Sequence, residues 1–291
     1  MRCAVISHDA GGAEILSSYV AQNHHDYLFT LCGPAVSIFN RKLGTINTAD
    51  IETVITNSDL VICGTSWQSD LEVQAIQLAK ILGIKSVSVL DHWVNYKERF
   101  TRNSTITLPD ELWVCDDNAQ QLARSIFPDT PVKLINNYYL DEFRANYLAS
   151  QENQTASGLV VLFIGENISG NAQRSYGDPL YFGYNEFTAL NYFAQNFNKL
   201  KHCCEKILIR PHPSEDLGKY DSFLKELPVS ISHSGGNNLI EDLHAATTII
   251  GISSMALALA SLTDKPVISI IPPGFPLPPW PFKNIRELRN M

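Results

Sequence analysis

The chain has 291 residues, 45% of them apolar, with 30 acidic against 22 basic side chains and a formal net charge of -8. That length and apolar share suit two soluble domains, each with its own core. An acidic surface without a Lys/Arg stripe excludes general nucleic-acid binding, and the absence of any long apolar run excludes a membrane span.

The chain goes directly from Met1 into an apolar run, so a secretory signal is not expected. Strands are expected at residues 4–7, 27–32, 60–63, 86–90, 111–115 and 132–135, with helices at 13–22, 70–82 and 118–126. Strands alternating with amphipathic helices imply βαβ units and a parallel sheet. The loops after the strands then share one edge, where such sheets hold ligands. A helix at 141–148 and an aperiodic polar run, residues 150–158, mark a boundary, giving domains 1–150 and 151–291.

The second half repeats the alternation. Strands are expected at 159–164, 206–209, 229–232, 248–250 and 266–270, and helices at 185–200, 216–226, 238–245 and 254–262. A proline-rich tail, Pro272-Pro273-Gly274-Phe275-Pro276-Leu277-Pro278-Pro279-Trp280-Pro281, excludes a regular element and is expected to be a rigid connector to a last short helix, the alternative being a stiff lid or a strap between domains. The six cysteines include no CxxC pair, so structural zinc is not expected. Four of them, Cys3, Cys32, Cys63 and Cys115, lie in or beside apolar runs, while Cys203 and Cys204 are adjacent. A reducing, cytoplasmic location is expected.

Five strand-to-helix junctions carry chemistry. In Ser7-His8-Asp9-Ala10-Gly11-Gly12-Ala13-Glu14, paired glycines let a ligand approach the backbone, and Asp9 sits where catalytic groups project; otherwise Asp9 is a helix cap. In Gly64-Thr65-Ser66-Trp67-Gln68-Ser69-Asp70, hydroxyls such as that of Ser66 suit a sugar or phosphate, and Ser69 or Asp70 suits a cap. The loop from Asp91 through His92, Trp93, Asn95 and Tyr96 to Phe100 has aromatic faces for a sugar or base ring; the alternative is a packed loop. Arg210-Pro211-His212-Pro213 holds His212 in a stiff extended segment, with Arg210 and His212 suited to a phosphate; the alternative is a neutral core histidine. Gly251-Ile252-Ser253-Ser254 opens a helix with two hydroxyls, a phosphate cradle or a simple Ser254 cap. Upstream, Gly235-Gly236-Asn237-Asn238 starts another helix, in which Glu241 or Asp242 faces either a ribose or solvent.

These residues resemble a family. His212-Pro213 and Ser253-Ser254 match, in order and spacing, the HP and SS motifs of bacterial sialyltransferases and related capsule-polysaccharide transferases. Phe163-Ile164-Gly165-Glu166-Asn167-Ile168-Ser169 is placed like the start of their nucleotide domain. The resemblance spans residues 159–270. It implies the GT-B architecture, an α/β fold of two Rossmann-like domains facing a cleft, and an inverting, metal-independent glycosyltransferase without a cofactor. The donor would be a nucleotide-activated, CMP-type sugar, and the acceptor a glycan or glycolipid of surface polysaccharide biosynthesis. By resemblance His212, Ser253 and Ser254 bind the donor phosphate and Asp9 stands at the catalytic base. His8, Gly11, Gly12, Ser66, Asp91, His92, Trp93 and Arg210 complete the expected substrate-binding set.

Two departures accompany the match. The family's acidic pair before glycine is replaced by His8-Asp9-Ala10-Gly11, and the helix after Ser254 has no acid to hold a ribose. Two other readings keep the nucleotide site. One is an epimerase or hydrolase of nucleotide sugars, in which Asp91 and His92 gain importance. The other is a nucleotide- or glycan-binding protein without catalysis.

Overall fold

A computed structural model of the chain describes residues 1–66, 69–150, 158–200, 204–225, 227–234 and 238–291. Trp67 and Gln68, all of the expected linker except its end residues, Cys203, Glu226 and the Gly235–Asn237 stretch lie outside the described residues. The chain forms two compact units. The first is Met1–Asp141 with Pro279–Pro281, and the second is Glu142–Pro278 with Phe282–Met291. The division falls inside a helix, Tyr138–Ala149, upstream of the polar run at 150–158.

The first unit contains β1 (Arg2–Ser7), α1 (Ala10–Gln22), β2 (Asp26–Leu31), α2 (Pro34–Leu43), α3 (Ile51–Thr56), β3 (Leu60–Cys63), α4 (Leu71–Leu82) and β4 (Lys85–Val89). It continues with α5 (Tyr96–Phe100), β5 (Thr101–Arg102), β6 (Thr105–Ile106), β7 (Glu111–Val114), α6 (Asp117–Ile126), β8 (Val132–Leu134) and the start of α7 (Tyr138–Ala149). Its six-stranded sheet runs β2-β1-β3-β4-β7-β8, every pair parallel. Strands covered on both faces need continuous apolar runs. β3 obeys this along its whole length, and Cys3, Val5, Leu16, Phe39, Ile62 and Val87 join in the core beside it.

The second unit contains β9 (Val160–Ile164), α8 (Ile168–Tyr176), α9 (Glu186–Gln195), β10 (Lys206–Arg210), α10 (Asp221–Leu224), β11 (Ser230–His233), α11 (Leu239–Ala245), β12 (Thr248–Gly251), α12 (Met255–Ala260), β13 (Val267–Ser269) and β14 (Ile285–Glu287). Its six-stranded sheet runs β11-β10-β9-β12-β13-β14, again all parallel. Val161, Phe163, Leu190, Phe193, Ile207 and Ile250 form its core.

Counted within each sheet, the first order is 2-1-3-4-5-6 and the second is 3-2-1-4-5-6. In both, the chain reverses direction of growth beside the first strand. A crevice at the carboxyl ends of the strands is expected there, between β1 and β3 and between β9 and β12. Register aligns those ends, with Ile6 opposite Cys63 and Ile164 opposite Gly251.

Several elements differ from expectation. The first helix begins at Ala10, not residue 13, so Gly11 and Gly12 are helical. The helix expected at 216–226 shrinks to one turn, α10, because Glu215, Lys219 and Tyr220 are drawn into a side-chain network instead. Residues 185–200 divide into α9 and a 3-10 turn, Phe197–Lys199. After the prolines the chain enters strand β14 before a 3-10 turn, Leu288–Asn290, where a helix alone was expected. α2, α3, α5, the β5–β6 hairpin and α8 were not anticipated. Among the described cysteines, Cys3, Cys63 and Cys204 are buried, whereas Cys32 is exposed just past β2.

Candidate functional site

In the first unit the crevice begins with His8 and Asp9. Asp9 is the extended N-cap residue of α1, yet its side chain makes no cap hydrogen bond. Its Oδ1 instead lies 2.7 Å from His8 Nδ1, both side chains about a quarter exposed at 27% and 23%. The carboxylate is thus turned toward the His8 ring and away from the helix amides. Gly33 supports that ring. Its φ of +55° favours glycine, and a Cβ there would sit 2.7 Å from His8 Nε2.

Beneath this turn lies Glu72, in the first turn of α4 and 2% exposed. Its Oε1 accepts the His8 amide hydrogen at 2.7 Å. Burial pushes its carboxyl up to about 7, helped by the charge of Asp9 and opposed by the nearby amides and His8.

Gly11 faces Asp91, whose Oδ2 would lie 2.0 Å from an added Cβ. The space over this glycine is therefore taken by a side chain of the protein itself. Gly12 packs against Gly64 Cα, 3.4 Å from a built Cβ. Asp91 is ion-paired with Arg99 at 2.5 Å, both nearly buried, and Thr65 Oγ1 donates to it at 3.3 Å. Trp93, Tyr96 and Phe100 are buried, so these rings pack inward. The Trp93 indole N–H donates to Asp116 Oδ2 at 2.8 Å, and His92 stacks obliquely beside Trp93 at 5.5 Å. Asp91, His92, Trp93, Cys115, Asp116 and Asn137 line one small cavity. Ser66 is buried and its Oγ accepts the Ser69 amide at 3.0 Å, stabilising its own turn.

In the second unit His212, Ser253 and Glu166 occupy the carboxyl edge of β10, β12 and β9. The Ser214 amide donates to His212 Nδ1 at 3.2 Å, and Ser214 Oγ lies 2.8 Å from the same atom. Asn167 Nδ2 in turn donates to Ser214 Oγ at 2.9 Å. An Nδ1 that accepts fixes the neutral tautomer with its proton on Nε2. Burial holds the His212 pKa below the usual range, although Glu215 counters it. The His212 amide donates to Glu215 Oε2 at 2.9 Å.

Ser253 donates from its amide at 2.8 Å and from its hydroxyl at 2.9 Å to the Glu166 carboxyl. Burial pushes that carboxyl up to about 7, with Ser253 pulling it down and Glu186 and Glu215 pushing it further up. Ser254 caps α12, its Oγ accepting the Leu257 amide at 3.3 Å. Arg210 Nη1 donates to Asp242 Oδ2 at 2.5 Å, and Ser234 Oγ donates to the same carboxylate at 2.6 Å. Asp242 is 5% exposed, so it is an internal partner and not a solvated helix face.

Behind these groups Lys219 bridges Glu186 and Glu215, the latter at 2.7 Å. Burial would raise Glu186, but Lys219 and Ser169 outweigh it and hold its carboxyl below the ordinary value. Sequence reasoning passed over Glu72, Glu186 and Lys219. An acid in the first turn of a helix is common enough to carry no signal by itself.

The sequence matches no protein-family description and no curated protein. Solved structures do resemble it. The UDP-GlcNAc 2-epimerase of Methanocaldococcus jannaschii aligns over 92% of this chain and 83% of its own, at 15% identity and a TM-score of 0.61. The Neisseria meningitidis UDP-GlcNAc 2-epimerase bound to UDP-GlcNAc aligns over 92% and 82%, at 13% identity and a TM-score of 0.53. The glycosyltransferase SnogD of Streptomyces nogalater aligns over 92% and 80%, at 10% identity and a TM-score of 0.50. The fold is that of GT-B proteins: α/β, with two Rossmann-like units of six parallel strands each. Among the described residues no helix is long and apolar enough to cross a membrane.

Proposed function

We propose that this protein binds a nucleotide-activated sugar and breaks the bond between the sugar and the nucleotide phosphate, passing the sugar to a hydroxyl acceptor. The observation that carries the reading is Ser253 hydrogen-bonded to Glu166 at the β9–β12 switch point of a 3-2-1-4-5-6 sheet, with neutral His212 at the end of the neighbouring strand β10. In α/β sheets this is where nucleotides are held. His212 Nε2–H would donate to a phosphate oxygen. Ser253, released by Glu166, would offer an amide and a hydroxyl, with Ser254 beside it. Arg210 would add positive charge on turning from Asp242. Together they offset the charge gained by the departing nucleotide. Asp9, held by the His8 ring, would take the proton of the acceptor hydroxyl in a single inverting displacement. These donors do that work without a metal. The acceptor would be a glycan or a glycolipid.

The base of the donor is the point where the likenesses matter. Structures named as UDP-GlcNAc 2-epimerases support UDP ahead of CMP as the first nucleotide to test. The same likeness favours a second reading, in which water or an adjacent carbon of the sugar replaces the acceptor, giving hydrolysis or epimerisation. Asp91 and His92 would then gain importance.

A thermal-shift screen of UDP, CMP, CDP, GDP, ADP and NAD, repeated on His212→Ala, tests the site. A ligand at about 100 times its dissociation constant adds about 2.7 kcal/mol, a clear shift. UDP or CMP stabilisation that disappears in the variant supports the assignment; no response to any nucleotide overturns it. Product analysis of a responding nucleotide's sugar, with and without acceptors, then separates the chemistries. Rapid acceptor-free turnover selects hydrolysis or epimerisation, and binding without turnover over a broad acceptor panel selects a non-catalytic binder.

A further inference from the structure

The proposed reaction uses Asp9 but assigns nothing to the acid behind it. Glu72 is almost fully buried, and its Oε2 meets no hydrogen-bond partner among the described residues. Ser7 Oγ, fully buried, is in the same condition. Both flank Gly64, since a Cβ built there would lie 3.1 Å from Ser7 Oγ and 3.8 Å from Glu72 Oε1. A buried carboxyl with one unsatisfied oxygen is costly in its charged form and tolerable in its neutral one. The other oxygen is not idle. It accepts the amide of His8 at 2.7 Å, and the ring of that same residue holds Asp9 at 2.7 Å.

We propose that Glu72 is a proton-carrying positioning residue for Asp9, holding the turn between β1 and α1 through the His8 amide. The inference rests on the reading of Asp9 as the base. Among the described residues, three titratable groups act on Glu72. Asp9 and His8 come from the β1–α1 turn, and Cys63 comes from β3, its thiol raised by burial and by the Glu72 charge. Two carboxyls so coupled do not ionise together cheaply. Glu72, the more deeply buried of the two, keeps the proton. Ionisation of Glu72 then adds a second negative charge behind Asp9 and loosens the turn.

The consequences are distinct from those of a merely structural acid. Glu72→Ala removes the acceptor of the His8 amide and should lower kcat by on the order of 100-fold with little change in KM for the donor. Glu72→Gln keeps an acceptor and cannot ionise. It should rescue much of the alanine loss and move the alkaline limb of the kcat profile, expected near pH 7 in the wild type, upward. An unmoved limb in Glu72→Gln, or full kcat in Glu72→Ala, overturns the proposal.

A second measurement needs no turnover, so the failure of the enzymatic reading would not be mistaken for failure of this one. Carboxyl 13C NMR of glutamate-labelled protein should show, beside the raised resonance of Glu166, a second one that is absent in Glu72→Gln and titrates well above ordinary glutamates. The His8 amide should follow the same titration. In Asp9→Asn the midpoint should fall, because the neighbouring charge is gone. A Glu72 resonance titrating in the ordinary range, or one indifferent to Asp9→Asn, refutes the coupling even if the protein proves to be a transferase.

Discussion

Replacing Gly11 and Gly12 separately by alanine tests what the paired glycines of α1 do. Both are helical, and alanine is favoured over glycine in a helix by about 1 kcal/mol. At Gly12 the new methyl would lie 3.4 Å from Gly64 Cα and 3.5 Å from the Thr65 amide nitrogen, ordinary packing distances. Gly12→Ala is therefore expected to be neutral or up to about 1 kcal/mol stabilising. At Gly11 the methyl would lie 2.0 Å from Asp91 Oδ2 and 3.1 Å from its Cγ. Asp91 cannot yield without leaving Arg99, and the two side chains are only 10% and 8% exposed. Separating a buried pair costs roughly 3–5 kcal/mol. The two contacts of Arg99 Nη1 to Thr65, at 2.8 and 3.3 Å, favour the lower end of that range. Subtracting the helix gain leaves Gly11→Ala destabilised by about 2–4 kcal/mol. Urea unfolding of the two variants against wild type measures both signs in one experiment. Gly11→Ala as stable as wild type would show that Asp91 has another place to go while still paired. Gly11 would then be freed for the ligand-approach role expected of it.

Three further variants probe the buried acids. Glu72→Gln should gain stability over wild type as pH rises. The raised carboxyl favours the native state below its ordinary value of 4.5, and that contribution is lost through about 7. The rise from 4.5 to about 7 corresponds to about 3 kcal/mol, read as thermal midpoints that diverge between pH 5 and 7; parallel curves over that range refute it. Glu166→Gln should flatten the pH dependence of nucleotide affinity. The wild-type carboxylate competes with phosphate for Ser253 increasingly above about 7, so calorimetry at pH 6 and 8 should show the variant binding relatively better at the higher pH. Equal pH responses in the two proteins would remove Glu166 from the phosphate site. Lys219→Ala strands two buried carboxylates and should cost roughly 3–5 kcal/mol at pH 7. Because the Glu186 carboxyl is held low, its contribution is present above the ordinary value and lost as pH falls through the lowered one. The destabilisation should therefore shrink in acid, and one that persists unchanged would mean that packing, not charge, is at stake.

The strands were legible because covering both faces of a parallel sheet leaves little choice of residue. β3 and β9 are buried from end to end, and their apolar runs say so. His212, Ser253 and Asp9 stood out for a related reason, since turn chemistry at a strand end is a local pattern. The acids that hold their turns are not local. Glu72 lies 64 residues from the His8 amide it accepts, and Glu166 lies 87 residues from Ser253. The helix expected at 216–226 illustrates the same limit. Its spacing is helical, but Lys219 and Tyr220 satisfy Glu215 and Glu186 better than they serve a helix face. The aromatic loop after β4 was read as open to a binding role by composition, yet Trp93, Tyr96 and Phe100 each bury a ring that solvent would leave wet. In every case the deciding term is burial of a charge or a ring against a distant strand end. The acids that matter are therefore those whose helices begin beside a switch point. Glu72, in the first turn of the helix after β3, is such a residue. Glu52, in the first turn of α3, is an exposed acid at a similar helical position with no switch point beside it.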